Sequence, residues 1–158
     1  KWERVDLHEL IRHAIEQIKL QVESRNGKIT ADLQASDSFL TGDPVHLSNL
    51  IFNLLDNANK YSENAPEITI STHSGNEGIL MKVADKGVGM TKEAQKKIFD
   101  KFYRVPTGNI HTIKGFGLGL SYVQAIINEH HGDIQVDSDI GKGSTFECFL
   151  PHLQPINS

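Results

Sequence analysis

Apolar residues at Leu7, Leu10, Ile11, Ala14, Ile15, Ile18 and Val22 recur at the spacing of one helical face. Asp6 precedes them with Glu9 three residues on, a capping-box spacing with Asp in place of Ser or Thr. A first amphipathic helix is predicted over about 7–25, stopped by Asn26-Gly27. Ile29, Ala31 and Leu33 then alternate with polar residues, as in a half-buried strand. Asp43 can cap a second helix with Pro44 in its first turn, and Leu47, Leu50, Ile51, Leu54, Leu55 and Ala58 form its apolar stripe as far as Tyr61. Ile68 and Ile70, the turn from Ser74 to Gly78, and the run from Ile79 to Ala84 predict a hairpin.

Thr91 can cap a short helix over about 92–101, whereas Val105 to Gly115 has no period and reads as a mobile loop. A helix from Gly117 to about His131 ends at Gly132, and Ile134 to Asp137 and Ser144 to Leu150 read as the last two strands. Successive hairpins imply a mixed, mostly antiparallel sheet whose apolar face needs the three long helices as cover. The predicted fold class is α/β, a two-layer sandwich. It forms one domain over about 1–151, with a loop over about 105–116 and a tail over 152–158.

Composition narrows this picture. A chain of 158 residues, 38% hydrophobic, suffices for one core. A net charge of −4 with interspersed signs gives no basic face for a phosphate backbone, so nucleic acid is not an expected partner. The one cysteine, Cys148, lies in an alternating strand with no cation cluster nearby, and reads as a core residue. With no long apolar run, a cytoplasmic, soluble domain is expected. The chain opens on Lys1 and Trp2 rather than Met, which points to a boundary inside a longer protein.

Four segments carry candidate chemistry. On the second helix, Asn53, Asn57 and Lys60 fall beside the apolar stripe. Asn is a poor helix former, so two of them beside a Lys suggest that side-chain carbonyls are wanted there, as oxygen ligands for magnesium. Asp85 ends a hydrophobic strand and is followed by Gly87, Gly89 and Met90. An acceptor at a strand end can take a hydrogen bond from an exocyclic amine, and glycines allow close approach of a flat ligand. Most Asp-x-Gly-x-Gly stretches are only turns. Gly115-Phe116-Gly117-Leu118-Gly119-Leu120 leads into a helix whose free N–H groups suit an anion, although it matches neither a P-loop nor a dinucleotide fingerprint. Gly141-Lys142-Gly143-Ser144-Thr145 is a tight turn into the final strand.

In order and spacing these segments resemble the N, G1, G2 and G3 boxes of the sensor histidine kinase catalytic domain, and Ile98 to Arg104 resembles its F box. The resemblance covers about residues 5–151. It implies the ATP-binding fold shared with gyrase, heat-shock chaperone and mismatch-repair ATPases, with a mobile lid. It further implies Mg²⁺ on Asn53, with Asn57 close to metal and phosphates. Lys60 and Arg104 would act as catalytic cations on phosphate oxygens, and Tyr61 would lie along the nucleoside. Asp85 would bind the adenine amine in a pocket shaped by Gly87, Gly89 and Met90, with Thr145 completing the adenine end. The segment from Gly115 through Phe116, Gly117, Leu118 and Gly119 to Leu120 would cap the phosphates. Phe116 and Lys86 depart from the family pattern, and Phe116 bears on the conformation of the lid.

Asn53 stands where ATP-hydrolysing relatives carry a Glu, and an amide cannot act as a general base, so transfer to an outside acceptor is favoured over hydrolysis. His8-Glu9-Leu10 imitates the family's acceptor box, but no Pro follows at the expected place and no helical hairpin fits between His8 and Asn53. The acceptor is therefore expected on an upstream dimerisation hairpin. The parent would be a homodimer, anchored in the inner membrane or not, that feeds a response regulator, and the fragment itself a monomer. His13, His46, His73, His111, His130, His131 and His152 show no metal spacing and default to the surface. The alternatives are an ATP-driven conformational module of the chaperone and gyrase kind, and a nucleotide-free pseudokinase docking domain.

Overall fold

A computed structural model describes residues 1–100 and 118–154. The elements in chain order are β1 (Glu3–Asp6), α1 (Leu7–Glu23), β2 (Lys28–Leu33), β3 (Phe39–Gly42), α2 (Pro44–Lys60), β4 (Glu67–Ser74), β5 (Gly78–Asp85), α3 (Lys92–Lys97), α4 (Leu118–Glu129), β6 (Asp133–Asp139) and β7 (Gly143–Pro151). The helix starts are fixed by the predicted caps. Asp6 Oδ1 accepts from His8 N at 3.0 Å, Asp43 Oδ1 from Val45 N at 3.0 Å, and Thr91 Oγ1 from Ala94 N at 3.0 Å.

Five strands form a sheet in the order β2-β4-β5-β7-β6. Only β2 and β4 are parallel, because α2 and β3 intervene between them; the other pairs are antiparallel. One face carries Ile68, Ile70, Ile79, Met81, Val83, Phe146, Cys148 and Leu150, all buried. Over it lie α1, which packs on α2 and β2, then α2, which packs on α4 and β5, then α4, which packs on β6. The two-layer sandwich predicted by the hydrophobic pattern is therefore the observed architecture. Among the described residues no helix is long and apolar enough to cross a membrane.

The pattern did not predict the second, two-stranded sheet of β1 and β3, in which Glu3 pairs with Gly42 and Asp6 with Phe39. Each strand is four residues long, too short to display a period. This small sheet ties the chain entry to the start of α2.

His130 corrects the surface reading of the histidines. It is fully buried behind Gly42; its Nδ1 lies 2.8 Å from the Ile126 carbonyl, and its Nε2 accepts from Asp43 N at 3.1 Å. A carbonyl only accepts, so Nδ1 carries the proton and the ring is a neutral spacer between α4 and the cap of α2. Burial lowers its pKa accordingly. Residues 152–154 bond to the body of the domain: His152 N donates to the Glu77 carbonyl at 2.9 Å and Gln154 Nε2 to the His130 carbonyl at 2.8 Å.

Candidate functional site

Strand alternation puts Asp85 on the helix-facing side of β5, in series with Ile79, Met81 and Val83. The apolar face thus ends in a carboxylate. Asp85 is 9% exposed, and its Oδ1 accepts from Gly87 N at 2.8 Å and from Ser144 N at 3.2 Å. Both bonds use one oxygen, so Oδ2 accepts none from the described residues. Burial raises the Asp85 pKa to about 6, against the opposing pull of those two N–H groups.

The same alternation brings Ser144 of β7 and Ser138 of β6 to the polar end of this face. Ser138 Oγ donates to the Gly143 carbonyl at 3.0 Å, lies 2.8 Å from Ser144 Oγ, and accepts from Met90 N at 2.8 Å. Gln95 of α3 donates to the Met90 and Ser138 carbonyls at 3.1 and 2.9 Å. The segment after Asp85 is therefore sewn to the β6–β7 turn. Sequence reading missed Ser138, Ser144 and Gln95; the period of two along β6 and β7 was the available clue for both serines. Thr145, expected at the adenine end, falls on the face of β7 opposite Asp85, and Ser144 lines the pocket instead.

From the other side, α2 presents its rim. Asn57 and Tyr61 join Asp85, Gly89, Met90, Ile98 and Ser144 around one narrow pocket. The Tyr61 carbonyl accepts from Val88 N at 3.0 Å. Gly87 is required here because a Cβ on it would come within 2.3 Å of that carbonyl oxygen, so the glycine permits close backbone packing. One turn back, Asn53 faces the start of α4: a Cβ on Gly119 would lie 3.9 Å from Asn53 Oδ1. Lys60 Nζ pairs with Asp56 Oδ2 at 2.9 Å. Leu120 is buried under α4, its side chain in the core rather than in the pocket. Arg104, Gly115, Phe116 and Gly117, with the rest of the loop expected over about 105–116, lie outside the described residues, as does the side chain of Leu118. Lys86 Nζ pairs with Glu67 Oε1 at 3.3 Å beside a wider depression on the open face of the sheet, away from the α2 rim.

His8 is buried, with Nε2 2.8 Å from Thr72 Oγ1, and burial lowers its pKa. Its ring is bound into the join between α1 and the sheet. Among the described residues no group of three or more His, Cys, Asp or Glu side chains could hold a metal ion.

A mixed sheet backed by three helices, with a buried strand-end Asp facing an Asn-rich helix, defines an ATP-binding α/β sandwich of the histidine kinase catalytic type. The family described as histidine kinase-, DNA gyrase B-, and HSP90-like ATPase matches residues 42–154, and the chain belongs to it. The sensor protein RprX of Bacteroides fragilis is 44% identical over 156 residues, 98% of this chain. The adaptive-response sensory kinase SasA of Thermosynechococcus vestitus is 34% identical over 94% of it. The chain spans 30% of the first relative's length and 39% of the second's. The nucleotide-free catalytic domain of the histidine kinase ThkA superposes with a TM-score of 0.84 at 24% identity, over 97% of this chain and 99% of that one. Full-length ShkA in complex with AMPPNP gives 0.82 at 22% identity, over 99% and 32%. These two establish the likeness of fold.

Proposed function

We propose that this domain binds Mg-ATP and donates the γ-phosphoryl group to a histidine on a dimerisation hairpin elsewhere in its parent, within a two-component pathway that ends on a response regulator. The observation that carries the reading is the Asp85 carboxylate. Oδ1 is consumed by two backbone N–H groups, so Oδ2 is left as an acceptor in a pocket walled by Asn57, Tyr61 and Met90. An adenine amine satisfies it; the carbonyl that guanine carries at the same ring position does not.

The donor set also fits magnesium. Among the described residues no acidic cluster could hold the ion by itself, and the Asn53 carbonyl at the mouth of α4 suits a metal that keeps water and phosphate ligands. Bound there, Mg²⁺ would neutralise charge on the phosphates. The chain's own residues would do the rest. Lys60 would exchange Asp56 for a phosphate oxygen, Arg104 would approach the γ-phosphate, and the N–H groups at the start of α4 would hold the phosphates in line. Asn53 cannot take a proton from water, which supports transfer over hydrolysis.

The test supplies the parent's hairpin in trans with γ-labelled ATP. Label is expected on the hairpin histidine, with ATP turnover by the domain alone near background. Robust hydrolysis by the domain alone, or label on the buried His8, would overturn the reading.

Affinity should also depend on pH. The Asp85 pKa is raised to about 6 when folded, so protonation below that value turns the acceptor into a donor facing the adenine amine. ATP affinity should fall by about tenfold per pH unit below pH 6, after correction for titration of the phosphates. Stability moves the other way. A raised carboxyl pKa means that the folded state binds the extra proton, so this group's contribution is greatest below its unfolded pKa and is lost as pH rises through about 6. Calorimetric titrations and thermal melts between pH 5 and 7.5 read both trends.

A further inference from the structure

The Asp85 pocket has a second wall, the last turn of α2, and a helix C-terminus is the part of a helix least able to hold its own shape. Its final carbonyls have no partners within the helix. Here they can be accounted for almost one by one. The Asn57 carbonyl accepts from Tyr61 N at 3.1 Å, the Ala58 carbonyl from Ser62 Oγ at 2.8 Å, and the Tyr61 carbonyl from Val88 N at 3.0 Å. The Asn59 carbonyl accepts from Ser62 N at 3.3 Å, and it and the Ser62 carbonyl also accept from a residue of another element. Arg25, in the turn that follows α1, donates through one guanidinium nitrogen to the Asn59 carbonyl and to Asn59 Oδ1, the latter at 3.0 Å, and through the other to the Ser62 carbonyl. Asn59 and Ser62 are 6% and 4% exposed, so water cannot easily replace these bonds.

We propose that Arg25 is a positioning residue for the base end of the pocket: its guanidinium clamps the end of α2 and thereby fixes the Tyr61 carbonyl, and with it the turn by which Asn57 and Tyr61 line the pocket beside Asp85. The planar fork presents a separate nitrogen to each of the carbonyls on either side of Tyr61, where an ammonium offers one, and its charge complements the negative end of the helix. Val88 reports directly on the clamp, because its N–H bond to the Tyr61 carbonyl is the link between α2 and the segment after Asp85. The inference rests on the nucleotide reading given above.

The test compares wild type with Arg25→Met and Arg25→Lys, each at a temperature where circular dichroism shows it folded. ATP and ADP affinities are measured in magnesium, and amide hydrogen exchange is followed at Val88 and, as a reference in the sheet, at Ile70. Arg25→Met should weaken ATP and ADP by the same factor, about tenfold, because the loss falls on the base and not on the phosphates. Val88 exchange should accelerate by a similar factor while Ile70 is unchanged, and Arg25→Lys should lie between. Unchanged affinity in a folded Arg25→Met, or weakened affinity with Val88 exchange unaltered, would overturn the clamp while leaving nucleotide binding intact. If Arg25→Met does not fold, Arg25→Lys must show both losses, and wild-type behaviour there would overturn it as well. A wild-type chain that binds neither nucleotide overturns the underlying reading and the clamp with it.

Discussion

Replacing Asp85 by Asn should cost about a hundredfold in ATP affinity and nothing in folding. Asn can keep its Oδ1 on Gly87 N and Ser144 N, the two bonds that Asp85 makes at 2.8 and 3.2 Å. Its amide nitrogen then stands where Oδ2 stood and meets the adenine amine donor to donor. The loss combines a hydrogen bond to a charged group with an uncompensated buried donor, about 2–3 kcal/mol, or roughly 30- to 150-fold. Stability should hold or rise, because the wild-type carboxylate is buried against its preference, as its elevated pKa of about 6 records. Calorimetry and a thermal melt on the same preparation separate the two effects. Unchanged ATP affinity in a folded variant would remove Asp85 from the base pocket.

Gly143→Ala should strongly destabilise the domain. Gly143 sits at φ +93°, and a Cβ there would come within 2.0 Å of the Asp85 carbonyl oxygen and 2.8 Å of the Asp85 carbonyl carbon. Both contacts are to backbone, so no side chain can swing aside. The turn must open, and with it the Ser144 N–H that holds Asp85 Oδ1 and the Gly143 carbonyl that receives Ser138 Oγ. A cost of about 3 kcal/mol, or roughly 10 °C in melting temperature, is expected, together with weakened ATP binding in whatever remains folded. Gly141→Ala is the matched control: at φ +80° it carries a similar conformational cost, but no atom lies within 4 Å of the added carbon. A Gly143→Ala variant no worse than Gly141→Ala would show that close packing against Asp85 is not what the turn requires.

Much of this was legible in the residues themselves. The stripes beginning at Leu7 and Leu47, the caps Asp6, Asp43 and Thr91, and the alternations through Ile79 and Phe146 specify helices, strands and buried faces, because each is set by neighbours within one turn or one pleat. Asp85 could be placed at the end of a buried strand for the same reason, and Asn53 and Asn57 beside the apolar stripe of α2. What stayed hidden depends on register between distant segments. Nothing local to Arg25 says that it will meet Asn59 and Ser62, 34 and 37 residues away, and nothing local to His130 says that it will receive Asp43 N from 87 residues away. Short-range periodicity fixes which way a side chain faces; only the closing of the sheet, with α1, α2 and α4 laid across it, decides what it faces. The sequence by itself determined the elements other than β1 and β3, their buried sides and the motif residues. Tertiary structure alone decided that Ser144 N meets Asp85 Oδ1, that His130 is a core spacer, and that the end of α2 is held from the turn after α1, since each depends on the distance between groups that no single stretch of chain contains.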